Sequence, residues 1–153
     1  MLNATVHAEN GQKPNLDFEL SDSRNFVRLS DLPPQTTLIN FWRYDCPPCV
    51  REMPLLADLA RTGKVRVITI ALHRPGETLL APLPAQQALT APLISLFGPG
   101  EPRGLLSRFG NRHGALPHTV ILDTRRQACT QLTGEISLAW VKSALTQDRK
   151  SVV

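Results

Sequence analysis

The sequence predicts an α/β fold in which a mixed central β-sheet is flanked by helices. A strand–helix–strand pattern occupies residues 36–72, and a β-hairpin followed by an amphipathic helix occupies residues 119–146. The first pattern gives parallel strands with a right-handed crossover, whereas the second adds antiparallel strands to the same sheet. A chain of 153 residues with 42% hydrophobic and 20% charged residues suits a single folded domain.

Each element follows from the spacing of apolar residues and from the prolines and glycines between them. Pro82 and Pro84 interrupt a weak helical pattern, so a short or broken helix is expected there. In chain order we predict an irregular lead-in (1–15), an N-terminal β-hairpin (16–20 and 26–29), a buried strand (36–42), a helix kinked at Pro54 (47–61), a second buried strand (65–72), the broken helix (77–90), a short strand (92–97), a helix ended by Gly110 (101–109), a hairpin (119–122 and 128–132), and a last helix (137–146). The predicted domain is therefore 16–146, and 147–153 is expected to be a C-terminal tail.

Charge and hydropathy exclude several classes of function. The net charge is +4, and the basic residues are scattered without interleaved aromatics, which indicates a solvated surface and no nucleic-acid binding. Attraction to an acidic partner or to a membrane surface stays open as an alternative. No segment approaches the roughly 20 apolar residues of a membrane span, and residues 1–15 have no apolar signal-peptide core. A cytoplasmic protein and an exported protein whose signal or anchor has been removed both fit.

Cys46 and Cys49 carry the chemistry that the sequence predicts. They form a C-x-x-C pair directly after a buried strand and at the start of a helix, which is typical of a thioredoxin-like redox motif. The positive end of the helix dipole stabilises a thiolate there. We expect Cys46 to be the exposed attacking thiol and Cys49 the deeper resolving thiol.

A zinc site is the alternative for a C-x-x-C pair. Zinc usually takes four ligands, and only Cys129 remains among the cysteines. We expect Cys129, on the predicted last strand, to be a buried and inert thiol, with a second redox or metal role as the alternative.

Several segments carry a family resemblance. NFWRYDCPPCVREMP (40–54) resembles the N-F-W-x-x-W-C-x-P-C-x-x-E-x-P signature of the TlpA/ResA-type thioredoxin-like proteins, a group that includes cytochrome c maturation reductants. LDFELSDSRNFVRLSDL (16–32), GALPHTVILD (114–123) and GEI (134–136) resemble further segments of that group in the same order. The resemblance implies a thioredoxin-like fold with an N-terminal β-hairpin and the activity of a thiol-disulfide oxidoreductase.

The resemblance also implies roles for single residues. Pro117 matches a cis-proline beside the redox pair, which would turn the backbone of Leu116 towards an incoming chain. Glu52 matches a helix glutamate that manages protons near the cysteines, although a solvated helix residue would also suit that position. The residues expected to contact substrate are Trp42, Pro47, Pro48 and Leu116.

The chain departs from the family pattern before the first cysteine. Asp45 stands where the family usually has Trp, and its carboxylate should disfavour the Cys46 thiolate, or else cap the helix. Asn40 stands where classical thioredoxins have a buried Asp, as is common in the TlpA-type group. Residues 73–102 match weakly, so partner specificity does not carry over.

The expected function is the reduction of disulfides in partner proteins by a Cys46–Cys49 couple that needs no cofactor and no metal. Electrons would come from an upstream dithiol donor, which could be membrane-bound, and we expect a monomer. The resemblance favours the periplasm over the cytoplasm. The alternative function is a copper-binding thioredoxin-like chaperone that uses the two cysteines and a histidine.

Overall fold

The computed structural model describes residues 13–152, and within that range seven strands form one mixed sheet. The strands are β1 (Glu19–Ser21), β2 (Phe26–Arg28), β3 (Thr37–Trp42), β4 (Arg66–Ala71), β5 (Ile94–Phe97), β6 (His118–Leu122) and β7 (Ala128–Thr133). The α-helices of the described residues are α1 (Pro47–Arg61), α2 (Leu83–Ala88), α3 (Arg103–Arg108) and α4 (Leu138–Val152), and 3-10 helices cover Leu29–Asp31 and Pro75–Leu80.

Strand order brings the ends of four strands to one edge of the sheet. The order is β2-β1-β5-β4-β3-β6-β7, with β3, β4 and β5 parallel and β6 antiparallel to β3. The carboxyl ends of the three parallel strands therefore share an edge with the amino end of β6. Since α1 follows β3, its first turn lies at this edge, and so does the proline before β6.

Alternation along the strands divides the core between the two faces of the sheet. Leu38 and Trp42 of β3 belong to one apolar cluster with the buried faces of α1 and α4. Ile39 and Phe41 belong to a second cluster with α3 on the opposite face. Helices on both faces explain why β3 is buried along its whole length.

The predicted α/β class, the mixed sheet and the N-terminal hairpin are confirmed, but two element boundaries differ. The first strand begins at Glu19, because the Leu16 N–H bonds to the Arg126 carbonyl instead of pairing within the hairpin. The last helix continues to Val152, past its predicted end at 146, and so includes most of the segment predicted to be a tail. Asp148 is buried there and accepts a hydrogen bond from the Thr36 hydroxyl.

The remaining predicted elements occur with small shifts. The proline-rich stretch is broken, as expected, into the 3-10 helix Pro75–Leu80 and the helix Leu83–Ala88. A cis peptide bond at Ala91–Pro92 was not predicted. Of the predicted lead-in, residues 1–12 lie outside the described range, and 13–15 have no regular structure. No helix in the described range has both the length and the apolar character of a membrane span.

A substitution at Phe109 tests the assignment of the apolar core on the α3 face of the sheet. It is buried and contacts the rings of Phe18 and Phe41, whereas Phe26 is 74% exposed. We expect Phe109→Ala to lower the free energy of unfolding by about 3–5 kcal/mol, and Phe26→Ala to change it by no more than about 0.5 kcal/mol. Urea denaturation of both variants measures this, and equal effects would contradict the assigned core.

Candidate active site

The cysteine pair closes the first turn of α1. Cys46 is the N-cap residue, and its sulfur is joined to that of Cys49 in a disulfide with Cα atoms 5.2 Å apart. The Cys49 N–H also points at the Cys46 sulfur, 3.3 Å away. Pro47 and Pro48 occupy the first helical positions, where a missing N–H leaves no bond unmade. The local sequence thus positions both sulfurs at the start of the helix.

The two cysteines differ in exposure as the sequence predicts. Cys49 is fully buried in the cluster between α1 and the sheet, whereas Cys46 is half-buried. Pro47 is exposed and Pro48 is half-buried beside them. An incoming sulfur can therefore approach Cys46 but not Cys49.

The peptide bond between Leu116 and Pro117 is cis, as predicted. Phe41 pairs with His118 across β3 and β6, so Pro117 lies level with the end of β3, where the chain turns towards Cys46. Leu116 is half-buried and packs on the same apolar cluster as Cys46. Within the described residues, nothing hydrogen-bonds to its N–H or C=O, so this backbone can pair with another chain.

Glu52 lies inside the protein and not on a solvated helix face. It is 2% exposed and lies one turn beyond Cys49 on α1. One carboxylate oxygen accepts a hydrogen bond from the Asn40 side chain at 3.0 Å, and the other accepts one from the Ile136 N–H at 2.6 Å. Asn40 also donates to the Thr119 hydroxyl at 3.1 Å. The carboxylate thereby joins α1 to the sheet and to the segment before α4.

Burial raises the pKa of Glu52 to about 7, although the hydrogen bonds from Ile136 and Asn40 favour its ionised form. A carboxyl group with this pKa gains and loses a proton near neutral pH. Its position near the cysteines therefore suits proton exchange during disulfide chemistry.

Asp45 pairs with Arg43 instead of capping α1. Its carboxylate accepts hydrogen bonds from the Arg43 guanidinium at 2.9 and 3.3 Å, and this interaction lowers the pKa of Asp45. The N-cap position belongs to Cys46, so the helix-capping alternative is wrong. Because Arg43 offsets the negative charge, Asp45 disfavours a Cys46 thiolate less than the sequence suggested. Arg43 was not among the predicted site residues, and only its place two residues before Asp45 could have indicated it.

Trp42 is fully buried, which corrects its predicted contact with substrate. Its ring packs edge-to-face against His73, with ring centroids 4.9 Å apart. The His73 Nδ1 accepts a hydrogen bond from the Tyr44 N–H at 3.1 Å, so its Nε2 donates to the Thr78 hydroxyl at 2.9 Å. Burial lowers the pKa of His73. The rings of Trp42 and His73 thus help to hold the loop that precedes Cys46.

Cys129 is partly buried on β7 and lies beside Asp148, to which its thiol donates. β7 lies on the other side of β6 from β3, and Cys129 is near the end of β7 that is opposite to Pro117, so this thiol is remote from Cys46 and Cys49. Among the described residues, no group of three or more His, Cys, Asp or Glu side chains is arranged to hold a metal ion.

The raised pKa of Glu52 predicts a pH dependence of stability. The folded protein holds the Glu52 proton more tightly than the unfolded chain does, because the pKa of Glu52 in the unfolded chain is 4.5. The protonated carboxyl group therefore stabilises the fold fully below pH 4.5, and this stabilisation is lost as the pH rises to about 7. The loss should be about 3 kcal/mol in the free energy of unfolding, and Glu52→Gln should remove it. Urea denaturation of the oxidised protein across this range measures the effect.

Glu19→Gln is the matched control, because Glu19 is solvent-facing, pairs with Arg28 in the N-terminal hairpin and does not contribute to the raised pKa of Glu52. This control should keep the wild-type slope between pH 4.5 and 7. Parallel pH profiles for the wild type and Glu52→Gln would contradict the assignment.

Asp45 predicts a shift in the redox equilibrium of the pair. Asp45→Asn leaves the charge of Arg43 unopposed near Cys46, which stabilises the reduced, thiolate form. The equilibrium constant with glutathione should move about threefold towards the reduced protein. Asp58→Asn removes a similar exposed carboxylate, paired with Arg61 near the other end of α1, and should leave the equilibrium unchanged. A shift of the same size in both variants would show a general charge effect.

Known proteins are similar to this chain in sequence. The model of the AhpC/TSA family matches residues 12–138. The thiol-disulfide oxidoreductase ResA of Geobacillus kaustophilus is 28% identical over 79% of this chain and 68% of its own length. The ResA of Geobacillus thermodenitrificans is 28% identical over 84% of this chain and 72% of its own length.

Solved structures extend the similarity to the fold. A DsbF homologue from Corynebacterium diphtheriae superposes with a TM-score of 0.70 at 18% identity, covering 89% of this chain and 87% of that one. The exposed lipoprotein thioredoxin of Streptococcus pneumoniae has a TM-score of 0.66 at 21% identity, covering 86% and 99%. Together with the disulfide at the start of α1, these findings place the chain in the AhpC/TSA family, among the TlpA/ResA-type thioredoxin-like thiol-disulfide oxidoreductases.

Proposed function

We propose that the Cys46–Cys49 pair, in its dithiol form, reduces disulfides in partner proteins. The observation that carries this proposal is the unequal exposure of the two sulfurs, with Cys46 half-buried and Cys49 fully buried. A partner disulfide can meet only the first, and the second is held within bonding distance for the next step.

Two exchanges complete the reaction. The Cys46 thiolate attacks one sulfur of the partner disulfide, which forms a mixed disulfide and releases the other partner sulfur as a thiolate. Cys49, as a thiolate, then attacks the Cys46 sulfur and releases the partner's remaining sulfur. The partner takes up two electrons and two protons, and Cys46–Cys49 becomes the disulfide. A dithiol donor protein would restore the reduced pair.

The surrounding residues support this sequence of steps. The partner would pair with the open backbone of Leu116 beside Pro117 and pass over Pro47 and Pro48. Glu52, with its pKa of about 7, would accept the proton that Cys49 must lose before it attacks. Glu52 then acts on Cys49 and never touches the partner.

We further propose a net reductant that works outside the cytoplasmic membrane, as a monomer. An unpaired carboxylate beside Cys46 would destabilise its thiolate and so favour the reductant. The ion pair of Asp45 with Arg43 weakens this effect. The exposed lipoprotein of Streptococcus pneumoniae, which has a similar fold, is consistent with the extracytoplasmic location. A role near cytochrome c maturation is proposed from the resemblance to the TlpA/ResA-type group alone. The copper-binding alternative gains no support from His73, because both of its ring nitrogens are engaged in hydrogen bonds.

A resolving-thiol variant tests the proposed reaction. Cys49→Ala, in a Cys129→Ala background, should accumulate mixed disulfides through Cys46, because the second exchange cannot occur. Non-reducing electrophoresis followed by mass spectrometry measures the adducts, and the wild type should reduce a model peptide disulfide. Cys46→Ala in the same background is the control and should trap nothing.

The oxidoreductase proposal would be overturned if Cys49→Ala trapped no adducts and the wild type also failed to reduce the model peptide disulfide. Adducts in the Cys46→Ala control would show that another thiol is reacting. A wild type that only oxidises dithiols, with an equilibrium like that of strong oxidants, would reverse the proposed direction.

A further inference from the structure

A cleft of about 430 Å³ lies next to Leu116, between the loop that leads to Cys46 and the start of α3. Its charged lining is entirely basic. Arg43, Arg103, Arg112 and His113 line it, and no Asp or Glu among the described residues does so. This cleft is not used by the chemistry described above.

Two of the three arginines have no counter-charge. The Arg43 guanidinium is engaged by Asp45 and by the Leu72 carbonyl. Arg103 and Arg112 are exposed, and neither forms an ion pair or a side-chain hydrogen bond with any described residue. Their charge is therefore directed at whatever enters the cleft.

The loop that carries Arg112 is held in shape before any partner arrives. The buried Asn111 side chain donates to the Ala115 carbonyl at 2.7 Å and accepts from the N–H groups of His113 and Gly114 at 3.2 and 2.9 Å. Gly114 has a φ of +78°, which favours glycine and completes the turn. A loop fixed in this way loses little conformational freedom on binding.

We propose that this basic cleft selects protein substrates that carry Asp or Glu next to the reacting disulfide. The inference rests on the proposed function, because it takes the partner chain to pair with Leu116. A chain paired there continues over the cleft, so its next side chains meet Arg103 and Arg112. Carboxylates at those positions would pair with the two free cations, whereas Lys or Arg would be repelled.

Three synthetic peptides test the selection. They share one disulfide and differ only in the residues beside its cysteines, which are Glu, Gln or Lys. The rate constant for their reduction is measured in a single turnover of pre-reduced protein, by acid quench and thiol alkylation. We expect the order Glu, Gln, Lys, with a difference between Glu and Lys of about tenfold that shrinks as salt is added.

Two double variants with equal net charge assign the effect to the cleft. Arg103→Gln with Arg112→Gln should slow reduction of the Glu peptide about fivefold and leave the Gln peptide unchanged. The control, Lys64→Gln with Arg125→Gln, removes two exposed charges at the opposite edge of the sheet and should behave as the wild type.

The outcomes separate this inference from the proposed function. Equal rates for the three peptides, or equal losses in both double variants, would overturn the selection while leaving the reductase in place. Binding of the wild type to vesicles of anionic lipid, lost in the cleft variant and with no peptide preference, would also overturn it. Reduction of none of the peptides would remove the proposed function and this inference with it.

Discussion

The carboxyl group of Glu52 is the constraint on which the active-site end of the molecule depends. It is buried under α1 and joins three elements that are distant in the chain, namely the helix, Asn40 of β3 and the Ile136 N–H before α4. A buried carboxyl group is tolerated only when hydrogen bonds compensate for lost hydration. The same contacts that hold it in place fix where α1 begins, and hence where Cys46 and Cys49 lie.

The order of the strands turns this anchored helix into a reactive site. Because β3 and β4 are parallel and β6 is antiparallel to β3, the end of β3 and the start of β6 meet at one edge. The first turn of α1 and the cis peptide bond before Pro117 therefore lie side by side. One sulfur faces solvent and the other faces the core, so chemistry and packing share the same turn of helix.

Local sequence was enough to predict the centre of the site, but not its surroundings. The C-x-x-C pair and the helix that it opens are encoded within a few residues of each other, whereas the cis bond at Pro117 lies far along the chain and was predicted from the family resemblance. Trp42 was expected to reach substrate because it matches an aromatic residue that flanks the site in the resembling family, yet strand alternation directs it into the core. The pairing of Arg43 with Asp45 depends on the shape of an irregular loop, which periodicity does not encode. The last helix extends to Val152 because Asp148 is buried and accepts a hydrogen bond from the Thr36 hydroxyl. This is a tertiary contact that leaves no local signal in the sequence.

In the loop held by Asn111, the residues that determine its shape differ from the residues that determine its charge. Its shape depends on Asn111, Gly114 and the backbone, whereas the side chains of Arg112 and His113 project from it and make none of the hydrogen bonds that hold it. Replacement of the projecting side chains thus leaves the loop intact. Such a surface can diverge quickly between related proteins while the redox centre beside it stays the same, which allows one scaffold to acquire new clients by point substitution.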